Sequence, residues 1–143
     1  MEPNFHNWDY LIVDELSYRL RAPERGEVIV FKYPRDTSQR YIKRIIGLPG
    51  ETVEIKDGKI MILRDNKGIV LDESVYLSPV ETSGSASVVL QANEYFVLGD
   101  NRRYSSDSRS WGTLRGDYIV GRVLVRLFPI SAFAKVEAPG YSY

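Results

Sequence analysis

The dipeptide Asp57-Gly58 constrains the fold of this chain more than any other feature, because it separates two short runs rich in β-branched residues. The runs cover residues 52–56 and 59–62. Asp-Gly readily takes the positive φ angles that a two-residue hairpin turn requires, and the flanking runs supply the two strands. The sequence therefore predicts an antiparallel hairpin at this point.

The other periodic segments also predict strands rather than helices. Runs of apolar, β-branched and aromatic residues, bounded by turn formers, occur at 10–13, 27–33, 41–46, 88–91, 94–98 and 118–128. Between them, 36–39 reads as a polar turn and 64–87 as a loop-rich stretch with a mobile tip at 82–87. Helical turns are predicted only near 16–20 and 130–133. We therefore expect a single all-β domain.

Composition excludes several classes of function. The chain of 143 residues has equal numbers of acidic and basic residues, so its charge gives no sign of nucleic-acid binding. It has no cysteine, hence no disulfide, thiol nucleophile or cysteine metal site, and its one histidine, His6, reads as a surface or turn residue. No stretch approaches the ~18 apolar residues of a membrane span, since 118–134 is interrupted by Arg122 and Arg126. We expect no metal and no cofactor.

Lys43 is the first candidate for chemistry, because it is a cation inside a run of strand-forming apolar residues. In an alternating strand it shares a face with Tyr41 and Ile45, while Ile42 and Ile46 lie on the other face. Burial among such groups would lower the pKa of the amine and so make a general base near neutral pH. The pattern also fits an ordinary edge-strand or snorkelling lysine, and spacing alone leaves both interpretations open.

A polar loop at 99–112 is the second candidate. It follows the predicted strand 94–98 and contains two Asp, three Arg and four Ser between two glycines. Asp107 and Arg109 are spaced to face the same side and pair, and Ser105 could hydrogen-bond a neighbouring amine. The alternative is a solvated polar turn.

These segments together resemble the type I signal peptidase (leader peptidase) family of Ser/Lys proteases. The strand at 25–31 matches the family's Arg-Gly-Asp/Glu block, 41–50 matches the block of the general-base lysine, and 99–109 matches the block that braces the site. The resemblance implies an all-β, signal-peptidase-like (LexA-like) fold of antiparallel sheets with a small hairpin and loop cap. It also implies that 1–143 is a single catalytic domain in which about 52–92 contains a small cap-like insertion.

The family's nucleophile lies in a Ser-Met-x-Pro motif, which places it before the first residue of this chain. The chain opens Met1-Glu2-Pro3, so the attacking serine is expected immediately before Met1, preceded by a membrane-spanning helix. We expect the chain as given to be inactive for that reason. A fragment, a misplaced start site and a pseudo-enzyme are all compatible with this match.

Within the resemblance, the loop and the strand acquire roles. Lys43 is implied as the general base and Ser105 as the residue that orients its amine. Structural braces are implied at Asp107 with Arg109, and at Asp100 with Arg102.

The resemblance also implies a substrate and a location. The substrates would be secretory preproteins, cut after Ala-x-Ala-type sites whose small side chains enter shallow pockets. The pocket for the first residue before the cut is implied at Met1, Phe5, Tyr41 and Ile42, and that for the third at Ile42 with Val30. The domain would lie on the extracytoplasmic face of the cell membrane, with Phe5 and Trp8 close to the lipid surface.

Trp8 departs from the family pattern, which favours glycine or a small residue before Asp9-Tyr10, and it reads either as a partly buried core aromatic or as exposed apolar surface. Two other functions stay open. One is a catalytically dead relative that binds or chaperones secreted or pilus proteins, which has no need for Lys43 and Ser105. The other is a LexA-type self-cleaving domain, against which stand the Gly-Asp-Asn-Arg loop and the lack of a DNA-binding segment.

Overall fold

The structure is a computed structural model that describes residues 1–6, 8–65, 67–78, 81–128 and 134–141. Its strands are β1 (Tyr10–Asp14), β2 (Val28–Tyr33), β3 (Asp36–Gly47), β4 (Thr52–Lys56), β5 (Lys59–Arg64), β6 (Lys67–Val70), β7 (Ala86–Val89), β8 (Glu94–Leu98), β9 (Leu114–Arg115), β10 (Ile119–Phe128) and β11 (Ala134–Lys135). The helical elements are single turns, a one-turn helix α1 (Ser108–Trp111) and 3₁₀ turns at Ser17–Arg19 and Gly116–Tyr118. The all-β prediction is confirmed.

The strands form two antiparallel sheets. A seven-stranded sheet has the order β1-β10-β2-β3-β8-β9, with β11 added to β10, and a four-stranded sheet has the order β6-β5-β4-β7. The predicted hairpin is the β4–β5 pair, in which Lys56 lies opposite Lys59. Asp57 and Gly58 have φ angles of 51° and 74°, as the two-residue turn requires. All four strands of the smaller sheet come from residues 52–89.

The main core lies between the two sheets. Successive side chains of β3 and β8 point to opposite faces of the larger sheet, so each strand contributes to two clusters. Ile46, Phe96 and Leu98 pack against the aliphatic side chains of the four-stranded sheet. Ile45 and Val97 face the other way, into a second cluster with Ile29, Phe31, Tyr95 and Leu114. Strand β3 is therefore held on both faces, which fixes the position of Lys43 near its middle.

Several boundaries differ from the sequence prediction. The predicted turn at 36–39 is the first part of β3, because the β2–β3 hairpin turns earlier, with Tyr33 paired to Asp36. The loop-rich stretch 64–87 contains β6, a strand that its glycine and polar residues concealed. The turn near 16–20 is the 3₁₀ turn at Ser17–Arg19, α1 was missed, and the predicted turn at 130–133 lies outside the described residues.

Candidate active site

Lys43 is half-buried in β3, opposite Ile29 of β2. Its Nζ donates a hydrogen bond to the Ile42 carbonyl at 3.1 Å and lies 5.4 Å from the centroid of the Tyr41 ring. Burial lowers the pKa of the amine below its ordinary value, and the carboxylates of Asp107 and Asp100 oppose part of that shift. At a given pH, a larger fraction of the Lys43 amine is therefore neutral than for an ordinary lysine. The neutral amine is the form that accepts a proton.

Ser105 packs against the same spot, because Gly99 leaves room for it. A Cβ atom added to Gly99 would overlap the Ser105 Oγ and would lie 3.6 Å from the Lys43 Cδ. The Ser105 Oγ is buried and has no hydrogen-bond partner within the described part of the chain. The structure thus brings Ser105 and Lys43 together without a hydrogen bond between them, and the orienting role of Ser105 stays a prediction.

Asp107 fixes the shape of the loop from the inside. Its carboxylate is completely buried and accepts bonds from the Arg109 guanidinium, with both nitrogen–oxygen distances at 2.8 Å. It also accepts from the backbone amide of Gly99 at 3.1 Å and caps the N-terminus of α1 through the amide of Arg109. The predicted Asp107–Arg109 pair is confirmed, and the carboxylate does more than pair.

The predicted pairing of Asp100 with Arg102 is wrong, because the two side chains leave the turn in different directions. Asp100 is paired with Arg44 of β3, whose Nε and Nη2 lie 3.0 and 2.8 Å from the two carboxylate oxygens. Arg102 is fully buried and reaches the loop that follows β6, where it pairs with Glu73 and also donates to the Thr82 hydroxyl at 2.6 Å. Both charges are satisfied, each by a partner far away in sequence.

The N-terminal segment forms the wall opposite this loop. Phe5 is buried against Val28 and Val123, with Met1 and Ile42 packed beside it. Burial lowers the pKa of the Met1 α-amine, and a positive charge on Lys43 lowers it further. Trp8 is 87% exposed and has a φ angle of 74°, so the core interpretation of this residue is wrong. That backbone conformation is one that glycine adopts at lower cost.

A cavity of about 450 Å³ lies between the two walls. Its lining consists of Met1, Glu2, Phe5, Arg40, Tyr41, Ile42, Lys43, Asn101, Tyr104, Ser105 and Ser106. Val30 lies opposite Ile42 in the β2–β3 register but outside this lining, where it packs against the Phe5 cluster. Tyr104 and Asn101 were missed as lining residues, although their place between Gly99 and Ser105 in the polar loop was a usable signal.

The described residues contain no cluster of three or more His, Cys, Asp or Glu side chains that could hold a metal ion. Among the same residues, no helix has the length and apolarity needed to cross a membrane. His6 is exposed, and its backbone amide donates to Asp9.

An antiparallel β domain that presents a half-buried lysine to a cavity fits the signal-peptidase-like fold that the sequence resemblance implied. The family model "Signal peptidase, peptidase S26" matches residues 1–128. The chain therefore belongs to the signal peptidase family, a family of serine endopeptidases, and the resemblance seen in the sequence is confirmed.

Individual relatives agree with the family assignment. The chain is 40% identical to a probable signal peptidase I-2 of Synechocystis, in a match that covers 91% of this chain and 60% of the relative. It is 36% identical to a signal peptidase I of Leptolyngbya laminosa, over 97% of this chain and 70% of the relative. A crystal structure of a signal peptidase I from Enterococcus faecalis superposes with a TM-score of 0.59 at 34% identity, covering 71% of this chain and 97% of that chain.

Proposed function

We propose that this chain forms the catalytic domain of a signal peptidase I, which removes signal peptides from secreted preproteins after Ala-x-Ala-type sites. The observation that carries the proposal is Lys43, a half-buried amine of lowered pKa that opens into a cavity between two chain walls. A lysine of ordinary pKa near 10.4 is neutral in only about one molecule in 2,500 at pH 7, so a lowered pKa is what a lysine base needs.

The attacking hydroxyl would come from a serine joined to the Met1 α-amine. Met1 and Lys43 line the same cavity, which supports this placement. In the proposed reaction, neutral Lys43 takes the serine proton as the oxygen attacks the scissile carbonyl, and then returns the proton to the amine that leaves. Ser105 would orient the Lys43 amine, since its buried hydroxyl has bonding capacity left over.

Substrate selection would depend on the cavity wall formed by Met1, Phe5, Tyr41 and Ile42. A preprotein would bind as an extended strand, with its first residue before the cut against this wall and its third against Ile42 and Val30. We further propose that the chain is one catalytic domain in which about 52–92 contains a small cap-like insertion. The core shared by the two sheets supports the single domain.

A lipid surface is the second proposed partner. Large apolar side chains are exposed along β1 and its flanks, namely Trp8, Tyr10, Ile12, Leu16 and Leu20. Exposed aromatic and aliphatic groups of this kind suit the interface of a bilayer, on the extracytoplasmic side where signal peptides are removed. Binding to phospholipid vesicles should weaken when Trp8 and Tyr10 are replaced by serine.

The test uses two extended chains that differ in one hydroxyl group. In the serine-extended chain, Ser stands before Met1, preceded by a short segment copied from the corresponding region of the Leptolyngbya laminosa relative. The control has Ala in place of that Ser. We expect the serine-extended chain to cut a preprotein at an Ala-x-Ala site and the alanine control to be inactive. Equal cutting by both would refute the placement of the nucleophile, and binding without cutting would favour the non-cleaving relative.

A further inference from the structure

Asn4 lies outside the cavity lining, yet its side chain bonds the N-terminal segment to Asp100. Asp100 is in turn paired with Arg44 of β3, the strand that carries Lys43. The Asn4 Nδ2 donates to the Asp100 Oδ2 at 2.7 Å and to the Tyr76 carbonyl at 2.9 Å. Both partners accept hydrogen bonds only, so the amide nitrogen must face them and the orientation of the side chain is unambiguous.

Asp100 is a rigid anchor for this contact. Its side chain is completely buried, and both of its carboxylate oxygens are bonded to the guanidinium of Arg44. The guanidinium is itself held by the Gly26 carbonyl at 2.9 Å and stacks on the Tyr76 ring at 4.0 Å. A carboxylate fixed in this way can set the position of whatever donates to it.

The N-terminal segment meets Asp100 at a second point. The backbone amide of Asp100 points at the Met1 Sδ at 3.4 Å, while the Phe5 amide closes a turn onto the Met1 carbonyl at 3.0 Å. On the other side, Arg126 of β10 donates to the Asn4 carbonyl. Residues Met1 to Phe5 are thus held between Asp100 and β10, with Asn4 bonded to both.

The bonds from Asn4 are connected to Lys43 through Asp100 and Arg44. Arg44 follows Lys43 in β3, and the two side chains leave the strand on opposite faces. A shift of the segment relative to Asp100 is therefore a shift relative to Lys43, because Asp100 and Arg44 move as one ion pair. Misplacement of reacting groups by about 1 Å can cost on the order of 100-fold in rate.

We infer that Asn4 is a positioning residue, whose amide fixes the distance between the segment that begins at Met1 and the Lys43 amine by donating to Asp100. This inference rests on the proposed function, in which the nucleophile is joined to Met1. Asn4 touches no reacting atom and lies outside the cavity lining, so it acts on the chemical step only through the position of the segment from Met1 to Phe5.

The kinetic test replaces Asn4 in the serine-extended chain by residues of similar size. Asn4→Leu removes both donors, and Asn4→Asp places a carboxylate against the Asp100 carboxylate. We expect kcat to fall by about 10- to 100-fold with a smaller change in KM, and Asn4→Asp to be the more severe. The matched control for Asn4→Asp is Asn93→Asp. It disturbs a bond from an asparagine to an aspartate, Asp117, that is exposed to solvent and outside the cavity lining, and it should leave kcat unchanged.

A second measurement does not depend on activity. In the chain as given, the NMR titration midpoint of the Lys43 side chain should move toward the ordinary lysine value in Asn4→Leu, because a loosened segment admits water, and should not move in Asn93→Asp. A folded Asn4→Leu variant that keeps both its kcat and its Lys43 midpoint would overturn the inference, as would a change in KM alone. Failure of the serine-extended parent to cut would count against the proposed function, while the midpoint measurement would still decide the role of Asn4.

Discussion

The two sheets of this domain bury different kinds of side chain. Strands of the four-stranded sheet bury aliphatic residues, with Val53, Ile55, Ile60 and Ile62 each at most 2% exposed. Among the described residues, six of the seven buried charges lie instead on or close to strands of the seven-stranded sheet, namely Arg25, Glu27, Arg44, Asp100, Arg102 and Asp107. The seventh, Glu51, directly precedes β4 of the smaller sheet and pairs with Arg25. Burying charge costs free energy even when the charges are paired, whereas burying aliphatic side chains stabilises the fold.

This difference separates the residues that stabilise the fold from the residues that the proposed reaction needs. The smaller sheet supplies stability through ordinary packing, and the larger sheet carries the cavity in which burial lowers the pKa of Lys43. Substitutions should therefore separate the two: changes near Lys43 should affect cleavage more than stability, and changes in the smaller sheet should do the reverse.

The largest effect is expected for Lys43→Met in the serine-extended chain. Cleavage should fall by about 100- to 10,000-fold, the range of a general base, because Lys43 is the one lysine among the described residues that line the cavity. Lys43→Arg should fail equally, since a guanidinium remains protonated. Initial rates on a preprotein substrate give the result, and cleavage that survives either change would remove Lys43 from the mechanism.

The same Lys43→Met change should leave the fold intact or stabilise it at neutral pH. Since the folded-state pKa is lowered, the unfolded state binds the proton more tightly, and the folded protein gains stability as pH rises toward the ordinary lysine value. The stability advantage of the Lys43→Met variant over the parent should thus shrink as pH approaches about 10.4, which denaturant melts at several pH values would show. An advantage that grows with pH would contradict the lowered pKa.

The next largest effect is expected in the smaller sheet. Ile62→Ala should cost about 2–5 kcal/mol of unfolding free energy, because Ile62 is fully buried between Val53 and Ile69 and leaves a cavity. Met61→Ala is the control, as Met61 lies on the same strand but faces solvent and should cost much less. Under conditions where the Ile62 variant is folded, its cleavage rate should match that of the parent. A loss of kcat in the folded variant would show that the smaller sheet also affects cleavage.

Asp107→Ala comes third, with an expected loss of about 2–3 kcal/mol. The change removes the partner of Arg109, the bond from the Gly99 amide and the cap of α1 together. Asp117→Ala breaks a pair of the same spacing, Arg115–Asp117, that is exposed to solvent, and it should have no measurable effect. A double-mutant cycle of Asp107 and Arg109 should show coupling, and additive losses would mean that the pair contributes nothing of its own.

The smallest of the three expected losses of stability belongs to Gly99→Ala, at about 1–3 kcal/mol. The new methyl group would overlap the Ser105 side chain, which has to move away from Lys43. Gly140→Ala is the control, because a Cβ there meets nothing within 4 Å. Thermal melts and cleavage rates together test the point: a Gly99 variant with full activity would show that Ser105 need not pack at this place.

Local patterns in the sequence predicted much of this architecture. The Asp57-Gly58 turn, the strand around Lys43 and the Asp107–Arg109 pair each depend on residues close together in the chain, where turn preference and strand alternation act directly. Trp8 belongs here as well, since the position where glycine was expected does take a positive φ angle.

The partners of the buried charges could not be predicted in the same way. Asp100 pairs with a residue 56 positions away, and Arg102 with one 29 positions away, so the assignment depends on how the sheets stack. The nearer candidate, Arg102 for Asp100, was the natural choice from spacing and was wrong. Strand β6 escaped notice for a related reason, because its Lys67 and Gly68 are poor strand formers that pairing with β5 nevertheless accommodates.

The central claim is that burial keeps the Lys43 amine neutral enough to act as a base. NMR titration of the lysine side-chain amines tests it most directly, with Lys43→Met used to assign the resonance. The account predicts that the Lys43 amine titrates well below the ordinary lysine pKa of about 10.4. A Lys43 amine that titrates at the ordinary value would contradict the account, and the proposed general base with it.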